Sequence, residues 1–138
     1  MGTKIFTKEE QLELFSDLFG AHELLRTYID NGYELCDEAQ VKLYDLEAPF
    51  NEDLVVLYIE KDNLLCEEAE ARLLDLPLGE MLVETYCFAK EHYLKPKAQL
   101  KLLNLPDKKL AKRYIRFNKK TPYLSTAFIN RAKELGLM

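Results

Sequence analysis

The sequence predicts an all-α protein, a right-handed α-solenoid of four to five two-helix repeats of about 29 residues each. Three recurrences predict this fold class. Segments 35–46, 65–76 and 94–105 align with one another at a period of about 30 residues, and a second apolar segment lies between them. Within each aligned segment, apolar residues stand at i, i+4, i+8 and i+11, beginning with Leu35 in the first. That spacing is one stripe of a helix with a single buried face, not the alternation of a strand.

The second segment of each repeat predicts the partner helix, because it is apolar and carries a tyrosine near its end. The four tyrosines recur at the period of the repeat and are Tyr28, Tyr58, Tyr86 and Tyr114. A proline follows the first helix in three repeats, at positions 49, 77 and 106, and Asn51 and Asp107 are expected to cap the next helix. A pair this short cannot cover its own apolar face, so neighbouring pairs are expected to stack into a single domain over residues 1–138.

Degenerate copies of the first helix are expected at both ends of the array. A capping-box pattern from Thr7 to Glu10 opens the first copy, and Thr121 and Pro122 are expected to open the last. The stripe positions are Phe6, Glu10, Leu14 and Asp17 in the first copy and Tyr123, Ala127, Arg131 and Glu134 in the last. Charges at stripe positions suit the outer face of a cap, although another register of an end helix would place them elsewhere.

The two-helix unit of about 29 residues, with its recurrent Leu, Ala and Tyr, resembles the short HEAT-like class of helical repeats over nearly the whole chain. It is shorter than a tetratricopeptide repeat, which has about 34 residues, and lacks the Trp-Leu-Gly-Tyr signature of that repeat. It also lacks the Thr-Pro-Leu-His of ankyrin repeats. The resemblance implies a scaffold or a binding surface and no particular chemistry.

Size and composition exclude several classes of protein. The chain has 138 residues, 48% hydrophobic and 31% charged, as expected of one compact domain. Its longest apolar run, residues 54–59, is six residues long, against about 20 needed to span a bilayer. The N-terminus lacks the charged-then-apolar pattern of a secretion signal. Three cysteines without CxxC spacing fit reduced thiols, so a cytoplasmic protein is expected.

The cysteines and histidines indicate structural roles. Cys36 and Cys66 occupy the same helix-start slot in two repeats, and Cys87 stands where other repeats have isoleucine, so it is expected in the core. His22 is expected to face solvent, because charged residues hold its slot in other repeats. Neither His22 nor His92 has the HxxxH or HExxH spacing of a zinc site. We therefore predict no metal.

Carboxylates and glycines do not indicate catalysis either. Glu67 and Glu68 lie in the first turn of a helix, where negative charge interacts favourably with the helix dipole, and Glu70 belongs to the same acidic cluster. Nothing marks a cleft that would raise the pKa of one carboxyl group for acid–base work. The five glycines are isolated, so no phosphate-binding loop is present. The recurrent tyrosines are expected to pack between helices rather than to stack nucleic-acid bases. We predict no enzyme and no cofactor.

The C-terminal third of the chain departs from the pattern of the repeats in its charge. Residues 1–89 carry 6 basic and 21 acidic residues, a net charge of −15, whereas residues 90–138 carry 13 and 3, a net charge of +10. The candidate binding residues for a polyanion or an acidic partner are Lys97, Lys101, Lys108, Lys109, Lys112, Arg113, Arg116, Lys119 and Lys120. Of these, Lys109, Lys112, Arg113 and Arg116 share one face of a helix and form a basic strip about 10 Å long.

The repeats and the charge polarity favour a protein–protein interaction scaffold or adaptor without catalysis, whose basic end contacts an acidic segment of a protein or peptide. The alternative is a nucleic-acid-binding helical-repeat protein whose basic strip follows phosphates, although the acidic N-terminal half would repel a long duplex. A third alternative is head-to-tail self-association between the basic end of one copy and the acidic start of another. No membrane partner is expected.

Overall fold

The computed structural model describes residues 5–15, 21–118 and 123–138. These residues form nine α-helices and no β-strand, which confirms the all-α fold class. None of the helices within the described ranges is both long enough and apolar enough to traverse a lipid bilayer. The chain divides into two compact units, Met1–Cys66 and Glu67–Met138, each with its own internal packing.

The first unit contains four helices: α1 (Lys8–Glu13), α2 (Ala21–Asp30), α3 (Asp37–Leu43) and α4 (Phe50–Glu60). The predicted capping box opens α1 and is confirmed, because the Thr7 hydroxyl accepts from the N–H of Glu10 and the Glu10 carboxylate accepts from the N–H of Thr7. Helix α1 packs against α3, and α2 and α3 pack against α4.

The second unit contains five helices, two of which change their geometry in the last turn. They are α5 (Glu67–Arg72) with a 3₁₀ turn (Leu73–Asp75), α6 (Gly79–Glu84) with a π-helical turn (Thr85–Ala89), α7 (Pro96–Leu103), α8 (Lys109–Asn118) and α9 (Thr126–Glu134). Helix α7 packs against α5, α8 and α9. Helix α6 starts so close to the 3₁₀ turn that a Cβ atom on Gly79 would collide with the carbonyl oxygen of Leu73 and lie 2.8 Å from the Cα atom of Leu74. Taken over both units, every predicted repeat segment contains a helix.

Two expected capping residues behave differently from each other. The Asp107 carboxylate accepts from the backbone N–H of Lys109 at 2.9 Å, as expected of a cap for α8. Asn51 is not a cap, because α4 already begins at Phe50. Its side chain accepts from the N–H of Glu52 and donates to the carbonyl oxygen of Tyr44, so it ties the first turn of α4 to the end of α3.

The predicted register of the last helix is wrong by one residue. Helix α9 starts at Thr126, and the Ser125 hydroxyl caps it by accepting from the N–H of Phe128 at 3.2 Å. Its buried residues are Phe128 and Ala132. The expected stripe is exposed throughout: Tyr123, Ala127, Arg131 and Glu134. The charges therefore face solvent on the side opposite the core. The other expected positions Asp17, Thr121 and Pro122 lie outside the described residues.

Candidate binding surface

In each repeat, one buried side chain on the first helix accepts a hydrogen bond from the residue that starts the first helix of the following repeat. These residues stand one repeat period apart and are Gln11, Gln40, Glu70 and Gln99. The Oε1 atom of each accepts from one backbone N–H: that of Cys36 at 2.6 Å, Cys66 at 2.7 Å, Lys95 at 2.7 Å and Ser125 at 2.9 Å, respectively. Two of these bonds lie in each unit. We call this set the glutamine ladder. It was not among the predicted features, although its spacing matches that of the repeats.

The three glutamines of the ladder use their amide N–H groups as well. Gln11, Gln40 and Gln99 each donate to the carbonyl oxygen five residues earlier, at distances of 3.1, 2.9 and 2.7 Å. Each amide therefore fixes the entry of its own helix and the start of the next one. A buried amide with both ends bonded avoids the cost of an unpaired polar group.

Glu70 is the exception in the ladder because it is a carboxylate with no solvent exposure. Its Oε2 atom accepts from the Tyr86 hydroxyl at 2.9 Å and pairs with the Lys95 ammonium at 3.3 Å. Burial raises the pKa of this carboxyl group, and the hydrogen bonds and charge of Lys95 partly offset that effect. Glu70 is thus part of the interior, although its place in the sequence groups it with the acidic residues of the first turn.

The recurrent tyrosines lie in the core, which confirms their interpretation as packing residues. Tyr28, Tyr58, Tyr86 and Tyr114 are at most 1% exposed. The hydroxyls of Tyr28, Tyr58 and Tyr114 each accept a hydrogen bond, at 3.0 to 3.2 Å, from the backbone N–H of the residue just before the first helix of the same repeat. These donors are Phe6, Leu35 and Leu94, respectively. Burial raises the pKa of Tyr58 to about 12. Because these rings are buried, nucleic-acid bases cannot stack on them.

The cysteines and histidines make mostly structural contacts. Cys87 is 2% exposed and burial raises the pKa of its thiol to about 12, which confirms a core role, while Cys36 and Cys66 are half-buried at helix starts. His22 was expected in solvent but is half-buried, with its ring centroid 5.3 Å from that of Phe50 and its Nε2 atom enclosed without a hydrogen bond. Among the described residues, no three His, Cys, Asp or Glu side chains converge as a metal site would need.

The lysines on and beside helix α7 are engaged within the second unit. Lys97 forms an ion pair with Glu68, and Lys101 with Asp75 at 2.8 Å. Lys108 donates from its ammonium group to the carbonyl oxygen of Leu103. The acids of α5 and its 3₁₀ turn thus partly neutralise the charge of the predicted binding residues on α7.

Helix α8 presents the basic strip, defined as Lys109, Lys112, Arg113 and Arg116, on its exposed face, and its opposite face is buried. Arg113 pairs with Glu84 at 3.6 Å, and its guanidinium lies 4.3 Å from the ring centroid of Phe88. Lys109, Lys112 and Arg116 form no ion pair with any residue in the described ranges. Lys119 and Lys120 lie outside the described residues.

An aromatic surface flanks the strip on the side of α6. The rings of Phe88 and Phe117 meet edge to face with centroids 5.0 Å apart, and Phe117 is 51% exposed. Phe88 belongs to the π-helical turn, a geometry that is frequent at functional sites. Arg113, Arg116 and Phe117 line a shallow depression of about 410 Å³ there. The strip therefore combines charge with exposed aromatic area.

A second cavity, also of about 410 Å³ and more enclosed, opens on the other side of α8, against the end of α9. It is lined by Lys112, Ile115, Arg116, Lys133, Leu137 and Met138. We call it the α8–α9 cavity. Lys133 was not predicted as a site residue, because only the packing of α9 brings it beside the strip. Comparison with known protein families, with curated proteins and with solved structures gives no match to this chain.

Proposed function

We propose that this protein is a cytoplasmic interaction scaffold, a right-handed α-solenoid of HEAT-like repeats without catalytic activity, whose basic C-terminal surface binds an acidic segment of a partner protein. The observation that carries the proposal is the division of the basic residues into two groups. The lysines of α7 have partners within their own unit, whereas Lys109, Lys112 and Arg116 have no ion pair within the described residues. Fold stability does not account for three exposed, unpaired cations on one helix face.

The recurrent bonds of the ladder support the solenoid part of the proposal. The same acceptor atom meets the same backbone position in four places, at intervals of one repeat period. A contact that repeats with the sequence period is expected where each repeat stacks on the next. Stacked repeats provide extended surfaces for binding, and their function is commonly recognition.

Charge reversal tests the acidic-partner proposal. We expect a fluorescein-labelled peptide of about twelve residues, mostly Glu and Asp, to bind and to weaken between ~50 and ~200 mM salt because exposed charges are screened. The double variant Lys112→Glu with Arg116→Glu should lose this binding. The matched control Arg26→Glu with Lys42→Glu changes the net charge equally, outside the strip, and should retain it. Equal binding by the two double variants, with unfolding temperatures unchanged, would contradict the proposal.

Nucleic acid is the second candidate, and the exposed ring of Phe117 beside Arg113 and Arg116 favours it. Single-stranded nucleic-acid sites combine cations that follow the backbone with aromatic rings on which bases stack. We expect this candidate to show a log-affinity slope of about −3 against log salt for a single strand that contacts the four cations of the strip, and a loss of about 1 to 3 kcal/mol on Phe117→Ala. Fluorescence anisotropy with short single- and double-stranded DNA and RNA measures both. A Phe117→Ala variant that binds as tightly as the natural protein would remove this candidate.

A further inference from the structure

The α8–α9 cavity has two chemically distinct parts. Ile115, Leu137 and Met138 contribute apolar surface, and Ile115 is 7% exposed. Lys112, Arg116 and Lys133 contribute three cations from two different helices. None of the three forms an ion pair within the described parts of the chain. A cavity with this combination suits a ligand that is apolar at one point and negatively charged around it.

We propose that the α8–α9 cavity receives one apolar side chain of the acidic segment, so that the recognised element is a hydrophobic residue flanked by aspartates or glutamates. This inference rests on the proposed function and deepens it. A volume of about 410 Å³ lies within the range of ligand pockets, roughly 300 to 1,000 Å³, and is ample for one large side chain. Carboxylates on either side of that residue would pair with Lys112, Arg116 and Lys133 at the exposed rim, where both charges stay hydrated.

The two parts of the cavity exclude simpler occupants. A purely acidic peptide would gain nothing from Leu137 and Met138, because a carboxylate placed against apolar surface loses hydration without a partner. A purely apolar peptide would gain nothing from the three cations. Only an occupant that carries both features uses the whole site, and Arg116 contributes to both sides of α8, so it connects the cavity with the basic strip.

The combination also predicts how affinity divides. The contribution of the acidic residues is screened by salt, because Lys112, Arg116 and Lys133 are exposed. The contribution of the buried apolar side chain is insensitive to moderate salt, since it comes from the removal of apolar surface from water. An acidic peptide with a hydrophobic residue should therefore keep part of its affinity at a salt concentration that abolishes the binding of a purely acidic peptide.

Two labelled peptides of equal charge test the inference. Both consist of about eleven residues, mostly Glu and Asp, with Leu at the centre of one and Ser at the centre of the other. We expect the leucine peptide to bind the natural protein at least about tenfold more tightly, the discrimination that burial of an apolar side chain typically provides. The variant Leu137→Ser should erase this preference. The control Leu64→Ser, which removes an equally large apolar group that is 57% exposed in the first unit, should not.

The outcomes separate the two proposals. If the leucine and serine peptides bind equally and both lose binding to Lys112→Glu with Arg116→Glu, the apolar site is refuted while the acidic-partner function stands. If neither peptide binds, both proposals fail. A leucine preference that survives in Leu137→Ser would also refute the α8–α9 cavity as the site. Circular dichroism of each variant establishes that the helices remain folded.

Discussion

Replacement of Glu70 tests the glutamine ladder at its one charged position. In Glu70→Ala, the part-buried backbone N–H of Lys95 and the buried hydroxyl of Tyr86 each lose the acceptor that the Glu70 carboxylate provides. Loss of the acceptor of a buried donor costs about 1 to 3 kcal/mol and loss of the acceptor of a part-buried donor costs less, so the free energy of unfolding should fall by about 2 to 4 kcal/mol. That is a large part of the stability of a typical domain. At a neutral position, Gln40→Ala removes the acceptor of the Cys66 N–H and the donor to the carbonyl oxygen of Leu35, and should cost a similar amount.

Glu70→Gln should behave differently, because the amide keeps an oxygen for the Lys95 N–H and directs its NH₂ at the Tyr86 hydroxyl, which can accept. At low pH the carboxyl group of Glu70 is protonated in the natural protein, so no ion pair is lost there, and the Lys95 side chain is 45% exposed and can be hydrated. The expected cost at low pH is therefore under about 1 kcal/mol. The two substitutions at one position thus separate the hydrogen bonds of the side chain from its charge.

The pH dependence of Glu70→Gln has a defined sign. The folded-state pKa of Glu70 is raised above its ordinary value of 4.5, so the folded protein holds this proton more tightly than the unfolded chain does. The stability of the natural protein should therefore fall as pH rises from 4.5 through the raised pKa, and Glu70→Gln should lack this component. Above that range the difference in the free energy of unfolding between the two proteins should be constant. It should favour Glu70→Gln more than the difference at low pH does.

Urea unfolding followed by circular dichroism at several pH values measures these differences. Subtraction of the glutamine curve from the natural one isolates the contribution of Glu70 from that of every other titrating group. Two results would contradict this role of Glu70. One is a Glu70→Ala variant as stable as Glu70→Gln, because the bonds to Lys95 and Tyr86 would then contribute nothing. The other is a stability difference between Glu70→Gln and the natural protein that does not change with pH.

Three further predictions concern single positions. Gly79→Ala should unfold at a much lower urea concentration than Gly32→Ala, because the new Cβ atom collides with backbone atoms of Leu73 and Leu74. At Gly32 there is open space, and the cost is only the strain of an alanine at a φ of +86°, about 1 kcal/mol. Equal unfolding midpoints would contradict the close approach at Gly79. Tyr58→Phe should cost about 1 to 3 kcal/mol in urea unfolding, since the N–H of Leu35 loses its buried acceptor; no loss would show that water replaces the hydroxyl. In native protein, a thiol reagent should label the two half-buried cysteines and spare Cys87, whose pKa is about 12; rapid modification of all three would contradict its burial.

Local periodicity predicted the helices and most of their buried faces, because those depend on residues three and four apart. Leu35 and Ala39 are buried as their stripe requires, and Lys112 and Arg116 are exposed as the face of α8 requires. The register of α9 could not be obtained in this way, since both Ala127 and Phe128 fit a helical stripe. The hydrogen bond from the Ser125 N–H to Gln99, 26 residues away, distinguishes the two registers, and local pattern carries no information on it.

The ion-pair partners of the basic residues could not be predicted either, because they also depend on contacts between residues far apart in the sequence. Lys97 and Glu68 are 29 residues apart, so their ion pair follows only from the packing of α7 on α5. Lys133 likewise joins the α8–α9 cavity through tertiary packing. Charge counts predicted a basic region correctly in composition, but they could not separate paired lysines from unpaired ones.

The backbone bonds of the glutamine ladder do not themselves restrict the side chains of the residues that receive them. Each bond ends on a main-chain N–H, and the four receiving residues are Cys36, Cys66, Lys95 and Ser125. Every residue except proline can supply that donor. The helix-start slot is thus a position at which repeats can diverge, or be engineered, without loss of the contact between them. Two of the four already carry thiols, which makes the slot a natural place to attach probes at intervals of one repeat.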